Sequence, residues 1–519
     1  MGDPRCTRIT DPDRIRNYLS DESASFHGRA ETLYLPADEA EVVGVVRAAN
    51  ETGMLLTVSG GGTSITGSRV PGGGAVLSVE RMVGVHSAPR QGFEHVEGPG
   101  FTLLLSREQG RAVVPPGVTL SALDAVLARH GLLYPPDPTE MSAMIGGTIA
   151  TNASGARSFR YGATRAWVRR LRVVLPTGEV AELRRGDPPA RDGILRIPTD
   201  RRTIELPLPG PDRYAMPRTK NAAGLHLAPD MEAIDLFIGC EGLLGIVTET
   251  EVGLVERVPQ TLTVIAYFRE RNHALDFVDA AAAGAPVEYL SVEYFDGHSL
   301  DFMRAAYPDI PESMAAAVLV ELPYEEAEPH NPYPGTEGLT RLERILAEHE
   351  AALDWAVPGS RREEVRLFRH ALPETVNEFV RKRVGKIGTD MAVPRERLRE
   401  MMDAYERESA VTGVRFLVFG HIGDAHVHLN YLPENDEEAA RAGAAYAKLA
   451  RAAVALGGTI SAEHGVGKKT LLAGDGGRVP YLHVLYGETG LQVIADVKKA
   501  LDPNRILNIG NMVPAEMLA

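Results

Sequence analysis

The sequence predicts an α+β fold made of more than one unit, on three observations. The chain has 519 residues, more than one ordinary hydrophobic core can hold. Near the amino terminus a helix precedes a strand that runs into a glycine-rich loop. Beyond residue 258 the order is strand, helix, strand, strand, which is typical of an antiparallel sheet with helices on one face.

The first element is a helix that begins after Asp38. Asp38 is the expected N-cap, Glu41 stands three residues later as in a capping box, and apolar residues follow at helical spacing. Gly53 ends the helix, and Met54 to Val58 (MLLTV) is predicted as a short buried strand. That strand leads into the loop SGGGTSITG, residues 59–67.

The order of helix, strand and loop argues against a dinucleotide-binding Rossmann unit. Such a unit needs a helix directly after the glycines, whereas Val70 to Val79 (VPGGGAVLSV) is another strand-like segment. Gly60 to Gly62 instead let backbone N–H groups approach an anion, and the hydroxyls of Thr63 and Ser64 add donors. A diphosphate would fit this loop; a plain glycine-rich turn is the alternative.

A second such surface follows along the chain. Strands are predicted over 94–118, and Leu120 to His130 is an amphipathic helix ended by Gly131. The segment 134–162 is rich in Gly, Ser and Thr and has little helical or strand period, so we expect an ordered binding loop. Residues 168–184 follow as a hairpin.

The change of pattern near residue 258 predicts a domain boundary. The expected units are 1–257 and 258–475, followed by a carboxy-terminal segment, 476–519. A final helix over residues 490–501 is stopped by Asp-Pro.

Composition excludes several classes of protein. The net charge of -15 argues against binding to nucleic acid. No signal peptide and no apolar run of ~18–20 residues is found, so we expect a cytoplasmic protein without a membrane span. The only cysteines, Cys6 and Cys240, exclude a disulfide framework, and Cys240 is predicted to be a small buried side chain.

Two histidine-bearing motifs near the end of the chain predict a metal site. FGHIGDAHVHLNYLP supplies His421, His426 and His428, and SAEHGVGKK adds Glu463 and His464. This set can bind a divalent metal and leave one imidazole as a base. In an ideal strand His426 and His428 share a face, whereas His421 and His428 do not. Separate polar roles for these histidines are the alternative.

Six motifs in one order resemble the FAD-linked oxidases of the vanillyl-alcohol-oxidase (PCMH) type. Within that family, the six motifs are similar to those of the branch of D-lactate, glycolate and D-2-hydroxyglutarate dehydrogenases. The motifs are SGGGTSITG, PPDPTEMSAMIGGTIATNASGARSFRYG, GCEGLLGIVTE, GHIGDAHVHLN, SAEHGVGKK and LDPNRILNIGN. The resemblance implies a PCMH-type FAD-binding domain of two subdomains over 1–257. It also implies a cap domain over 258–475, with the metal site and an antiparallel sheet covered by helices, and a carboxy-terminal segment, 476–519, that returns to the FAD domain.

The resemblance also implies which residues contact FAD. They are Gly60, Gly61, Gly62, Thr63, Ser64, Gly67, Pro138, Thr139, Ser142, Gly146, Gly147, Thr148, Asn152, Ser154, Gly155, Gly245, Val247 and Asn508. Relatives that bind the flavin covalently use a His near the first loop or a Cys in the later segment. This chain has neither there, so we expect FAD to be non-covalent.

Oxidation of a 2-hydroxy acid needs a base, an electrophile at the hydroxyl oxygen and a flavin. By resemblance His421, His428 and Glu463 bind a divalent metal, for which zinc is expected, and His464 is the base. Gly423 and Asp424 can break the strand and turn His421 inward, so the assignment of His421 is kept, with His426 as the rival ligand.

Three further residues are expected to contact the substrate. Arg369 offers a bidentate guanidinium to a carboxylate. Lys386 resembles a second substrate cation, although its spacing to Asp390 is longer than in the hydroxyglutarate enzymes. Asn430 can hydrogen-bond the substrate.

The resemblance therefore implies oxidation of a D-2-hydroxy acid (lactate, glycolate or 2-hydroxyglutarate-like) to the 2-oxo acid. Electrons are expected to pass to a carrier protein or a quinone rather than NAD, and a homodimer is compatible with the sequence. One alternative is a non-redox flavin transferase of the alkylglycerone-phosphate synthase type, which favours a histidine-rich tract where this chain has SAEHG. Another is a metal hydrolase, which leaves the glycine loops unexplained.

Overall fold

The structure of the protein is a computed structural model. It describes residues 6–23, 25–85, 87–88, 90–258, 260–283, 288–324, 336–349, 351–356, 363–381, 383–473 and 476–519. The helices are α1 (Pro12–Ile15), α2 (Glu39–Thr52), α3 (Leu120–Ala128), α4 (Ile145–Thr151), α5 (Ser158–Tyr161), α6 (Ala233–Phe237), α7 (Arg271–Ala282), α8 (Gly297–Met303), α9 (Thr336–Glu348), α10 (Glu363–Val380), α11 (Leu398–Thr412), α12 (Asp436–Ala455) and α13 (His483–Leu501). None of the helices in the described ranges is both long and apolar enough to cross a bilayer.

Within the described residues the strands form three large sheets and three two-stranded ribbons. They are β1 (Thr7–Ile9), β2 (Thr32–Leu35), β3 (Leu56–Ser59), β4 (Ala75–Ser78), β5 (Glu94–Gly98), β6 (Phe101–Ser106), β7 (Arg111–Val114), β8 (Leu132–Leu133), β9 (Val168–Val174), β10 (Val180–Arg184), β11 (Ile194–Pro198), β12 (Thr203–Pro207), β13 (Ile246–Gly253), β14 (Val255–Glu256), β15 (Gln260–Phe268), β16 (Ser291–Asp296), β17 (Ala316–Tyr324), β18 (Ala352–Ala356), β19 (Ile387–Gly388), β20 (Phe416–Gly420), β21 (His428–Tyr431), β22 (Thr470–Leu472) and β23 (Arg478–Pro480).

The first sheet has the strand order β1-β2-β4-β3, with β2, β4 and β3 parallel. The predicted helix before it is confirmed as α2. Its N-cap carboxylate, on Asp38, accepts the N–H of Glu41 at 2.8 Å, and Gly53 ends it at φ 69°. The glycine loop follows directly after strand β3, as expected.

The second sheet is antiparallel, in the order β10-β9-β13-β7-β6-β5. Its β9–β10 hairpin confirms the predicted one and turns at Gly178 (φ 75°). The loop expected over 134–162 differs, because it contains the short helices α4 and α5. Helix α4 forms despite two glycines in its first turn because Ile145 and Ile149, one turn apart, are both fully buried.

The third sheet is antiparallel, in the order β18-β15-β17-β16-β20-β21-β19. Helices cover both of its faces rather than the one face expected from the sequence. On β15, Val264 shares a core with Phe277 of α7, whereas Ile265 shares a different core with Phe368 of α10. The reason is in the strand itself, since its apolar residues are consecutive rather than alternating.

The carboxy-terminal chain crosses back to the first sheet after α13. The N–H of Leu56 on β3 donates to the carbonyl of Ile506 at 2.7 Å, and the N–H of Asn508 donates to the carbonyl of Leu56 at 2.9 Å. Residues at the two ends of the chain therefore form one layer.

Candidate active site

A cavity of about 300 Å³ is lined by the loop after β3, by α4 and by the start of β13. Most residues that the resemblance assigns to FAD line it: Gly60, Gly61, Gly62, Thr63, Ser64, Pro138, Thr139, Gly146, Gly147, Thr148, Ser154, Gly245, Val247 and Asn508. The wall is open at Gly147, since a Cβ added there would meet no described protein atom within 4 Å. A cavity lined in this way fits an extended ligand that the protein backbone approaches closely.

The remaining four predicted FAD residues are not among those that line this cavity: Gly67, Ser142, Asn152 and Gly155. Two of them shape the chain next to it. Asn152 ends α4 in the left-handed region (φ 50°) and accepts the N–H of Arg165 at 2.9 Å. A Cβ at Gly155 would lie 1.8 Å from the carbonyl oxygen of Asp137. Contact of these four with FAD stays a prediction.

Asn508 ties the carboxy-terminal chain to the wall of the cavity. Its Oδ1 accepts the N–H of Val58 at 2.8 Å, and its Nδ2 donates to the carbonyl of Glu241 at 3.0 Å. Glu241 is buried, and its two carboxylate oxygens accept the N–H groups of Val466 (2.7 Å) and Gly467 (2.8 Å). Burial raises the pKa of Glu241 to about 7, although these two N–H groups act in the opposite direction.

The same cavity is lined by Glu463 and His464 of the carboxy-terminal motif. The glycine loop and the proposed reacting residues, which lie some four hundred positions apart in sequence, therefore share one space.

A turn between β20 and β21 brings the three histidines together. Gly420 (φ 132°) ends β20, and Ala425 (φ 53°) closes the turn. His421, which an ideal strand would direct away from His428, thereby reaches the same side. One ligand atom from each of His421, His426, His428 and Glu463 lies within 4.8 Å of the other three.

His421 and His428 place their ring nitrogens in the same way, with Nδ1 beside a protein oxygen and Nε2 facing Glu463. Nδ1 of His421 lies 2.8 Å from Oε1 of Glu293, and Nδ1 of His428 lies 2.9 Å from the carbonyl oxygen of Thr389. Their Nε2 atoms lie 3.4 and 3.9 Å from Oε2 of Glu463. A metal-binding histidine commonly has its second nitrogen held in this way.

Charge and burial set the protonation of this cluster. Burial alone would lower the pKa of His421, but Glu293 and Glu463 raise it to about 9. Burial and the neighbouring His426 hold the pKa of His428 well below its usual range. Burial would raise the pKa of Glu463, but His421 and Lys220 hold it well below its usual range. Glu463 is therefore a carboxylate and His428 a neutral imidazole.

Asp390 joins the other two histidines. Its Oδ2 lies 3.1 Å from Nδ1 of His464 and accepts the backbone N–H of the same residue at 2.9 Å. Its Oδ1 lies 3.0 Å from Nε2 of the fully buried His426. Burial would raise the pKa of Asp390, but His464 and His426 hold it well below its usual range.

Of the three predicted substrate residues, Arg369 lies beside the histidine cluster, Asn430 is buried on β21 and Lys386 is exposed. Arg369 of α10 has a side chain one-tenth exposed, and its Nε lies 3.9 Å from Oε2 of Glu293, so it reaches the histidine cluster. Asn430 is buried on β21, and its Nδ2 donates to the carbonyl of His428 at 3.5 Å. Lys386 is exposed and donates to Oδ1 of Asn377 at 2.9 Å.

The donor set fits a divalent cation. The Nε2 atoms of the buried His421 and the partly buried His428 face one carboxylate oxygen of Glu463, and two imidazoles with one carboxylate are the three-ligand set of some catalytic zinc sites. Such a site keeps a coordination position for substrate.

Two family models match the chain. The first, described as an FAD binding domain, matches residues 30–184, and the second, the C-terminal domain of FAD linked oxidases, matches residues 259–512. The chain belongs to the FAD-linked oxidases. It is an FAD-binding oxidoreductase with a two-domain fold, of the branch that contains glycolate, D-lactate and D-2-hydroxyglutarate dehydrogenases.

Several relatives of this FAD-linked oxidase match over nearly their full length. The glycolate oxidase subunit GlcD of Bacillus subtilis is 28% identical, covering 95% of this chain and 91% of its own. A D-lactate dehydrogenase of Anaerostipes hadrus is 26% identical (97% and 94%), and a D-2-hydroxyglutarate dehydrogenase of Stutzerimonas stutzeri 27% (98% and 96%). A solved alkyldihydroxyacetonephosphate synthase shares the fold, with TM-score 0.61 at 15% identity over 96% of this chain and 81% of its own.

Sequence reasoning missed four charged residues of this FAD-linked oxidase's site: Lys220, Glu241, Glu293 and Asp390. Only Glu293 carried a usable signal, since a carboxylate inside the apolar strand SVEYF predicts a buried, paired charge. Glu241 lies within the motif GCEGLLGIVTE, but nothing in that motif predicts that its carboxylate accepts the N–H groups of residues 466 and 467. Lys220 and Asp390 lie outside the six motifs.

Proposed function

We propose that the protein oxidises a D-2-hydroxy acid to the 2-oxo acid, with hydride passing to FAD and the hydroxyl proton to His464. The observation that carries the proposal is that one cavity is lined both by the glycine loop and by Glu463 and His464. The flavin and the acid can therefore meet without domain rearrangement.

His421, His428 and Glu463 are the proposed ligands of a divalent metal, with zinc as its identity. A bound cation supplies Lewis acidity, which lowers the pKa of the substrate hydroxyl. Supporting His421 over His426, Nε2 of His421 faces Oε2 of Glu463 at 3.4 Å. Nδ1 of His426 is 3.9 Å from Oε1, the oxygen already bonded to Lys220, while its Nε2 faces Asp390.

His464 is the proposed base, oriented by Asp390. Because Nδ1 of His464 faces the carboxylate of Asp390, the tautomer with its proton on Nδ1 is favoured, and Nε2 is left as the proton acceptor. The carboxylate also stabilises the imidazolium that forms when His464 takes the proton.

Arg369 is the proposed partner of the substrate carboxylate. Its side chain is nearly buried beside Glu293, and a guanidinium keeps its charge there and offers two parallel N–H donors. Asn430 and Lys386 are proposed as further substrate contacts, with Lys386 at the outer end of the acid because it is exposed.

FAD binding is proposed to be non-covalent. Cys240 does line the cavity, but burial raises the pKa of its thiol and disfavours the thiolate that attachment to flavin would need. Electrons are proposed to leave the reduced flavin for a carrier protein or a quinone.

The test is an anaerobic visible spectrum of the purified protein during addition of D- and L-2-hydroxy acids. We expect a D-acid to bleach the flavin band. Bleaching should be lost after chelation, return with added Zn²⁺, and be lost in H421A. His273, which lies near Glu270 on the surface of α7, gives the matched control H273A.

Two outcomes of this experiment would contradict parts of the proposal. A flavin that no 2-hydroxy acid reduces would contradict the dehydrogenase and favour the non-redox transferase. Full reduction of a metal-free protein would contradict the metal-assisted step while leaving the oxidation in place.

A further inference from the structure

Lys220 is a buried cation in contact with the proposed metal ligand Glu463. Only 9% of its side chain is exposed. Its Nζ lies 2.5 Å from Oε1 of Glu463, 2.7 Å from Oγ of Ser158 and 3.3 Å from Oδ2 of Asp424. The residue stands in a loop between β12 and α6, far in sequence from all three partners.

The three contacts account for all the donors of the side chain. An ammonium group has three N–H donors and no acceptor, and each donor here has one oxygen. The hydroxyl of Ser158 in turn has two acceptors for its one proton, the carbonyl oxygen of Gly155 and Oδ2 of Asp424, each at 2.5 Å. Lys220 is therefore held in one direction, without a free donor for a substrate carboxylate or a lone pair for a proton.

The two oxygens of Glu463 have different partners: Oε1 accepts hydrogen bonds, and Oε2 faces the histidines. Oε1 accepts from Lys220 and, at 3.1 Å, from Oγ of Ser154. Oε2 faces Nε2 of His421 and of His428. Because Oε1 accepts these two hydrogen bonds, its two lone pairs are occupied, and Oε2 is the oxygen left for a metal.

We propose that Lys220 is a positioning residue that holds Oε1 of Glu463, so that only Oε2 is offered to the metal and a coordination position stays open for the substrate. The proposal rests on the metal-binding role of Glu463 proposed above. Its physical basis is that a lone carboxylate can bind a cation through one or both oxygens, and the Lys220 bond removes the second choice.

The test uses the flavoprotein loaded with Co²⁺, whose visible absorption reports coordination number. We expect K220M to show weaker and shifted Co²⁺ bands, because both oxygens of Glu463 become available. We also expect kcat/KM for the hydroxy acid to fall roughly 10- to 100-fold. K220R keeps a charged donor for Oε1 and should retain the wild-type spectrum.

The matched control is K448M, since Lys448 is mostly exposed and pairs only with Glu408 among the described residues. Should K220M not fold, S158A takes its place, because it removes one of the three acceptors and should shift the Co²⁺ bands in the same direction by less. An unchanged Co²⁺ spectrum in K220M or S158A would overturn the inference alone. A wild-type protein that binds no Co²⁺ would overturn the metal site and the inference together.

Discussion

Nδ1 of His464 lies 3.1 Å from Oδ2 of Asp390, and the backbone N–H of His464 donates to that same oxygen. One carboxylate thus holds both the main chain and the ring of the proposed base. The same aspartate faces His426 with its other oxygen. Ring orientation at His464 therefore depends on a residue 74 positions earlier in the chain.

We expect D390N to slow flavin reduction on the order of 100-fold, because the amide neither fixes the tautomer of His464 nor stabilises its charged form. The measurement is anaerobic single-turnover reduction, with metal content determined on the same sample. D276N, on the exposed surface of α7, is the control. A D390N protein that retains metal and reduces its flavin at the wild-type rate would contradict the assignment.

We expect E293Q to weaken metal binding roughly 10- to 100-fold, because His421 loses the carboxylate that orients its Nδ1. Competition against a chelator of known affinity measures this change. The matched control is E321Q, because Glu321 is on the neighbouring strand β17 and contacts Arg157 and Ser291 instead. Equal affinities in the two variants would argue against a role for Glu293 in the metal site.

We expect G147A to lose FAD while its apoprotein keeps wild-type thermal stability. The added methyl would project into the cavity and meet no described protein atom within 4 Å, so it takes up ligand space and leaves the fold unstrained. The FAD content and the melting temperature of the apoprotein are the two readouts. G72A, also open within 4 Å, should bind FAD normally. Full FAD occupancy in G147A would exclude FAD from this part of the cavity.

We expect the stability of the folded protein to depend on pH through Glu241. Its folded-state pKa, raised by burial to about 7, exceeds the ordinary 4.5. Between these values the folded protein keeps a proton that the unfolded chain has released. The contribution of this carboxyl to stability is therefore full below pH 4.5 and is lost as pH rises towards 7.

E241Q cannot titrate, so its free energy of unfolding relative to wild type should rise as pH increases through this window, at up to about 1.4 kcal/mol per pH unit, and its melting temperature should rise with it. Thermal melts of both proteins over the same pH series measure it. E256Q, at an exposed site on β14, should stay parallel to wild type. Parallel E241Q and wild-type curves would show that Glu241 is ionised throughout.

Local features were predictable from the sequence, and long-range pairings were not. The Asp38 cap and the glycine loop depend on neighbours within a few residues, which a sequence displays directly. The inward position of His421 depends on a turn, for which Gly423 gave a clue. Lys220 and Glu293 become part of the site only because distant elements meet, and no local pattern specifies such a meeting.

The pairing of Leu56 with Leu507 has a consequence for the order of events during synthesis. Asn508 lines the same cavity as the glycine loop and accepts the N–H of Val58, but it leaves the ribosome 450 residues after Val58. A nascent chain that has already completed its first two sheets still lacks this wall. Capture of the cofactor in its final cavity thus waits until the segment that carries Asn508 has been synthesised.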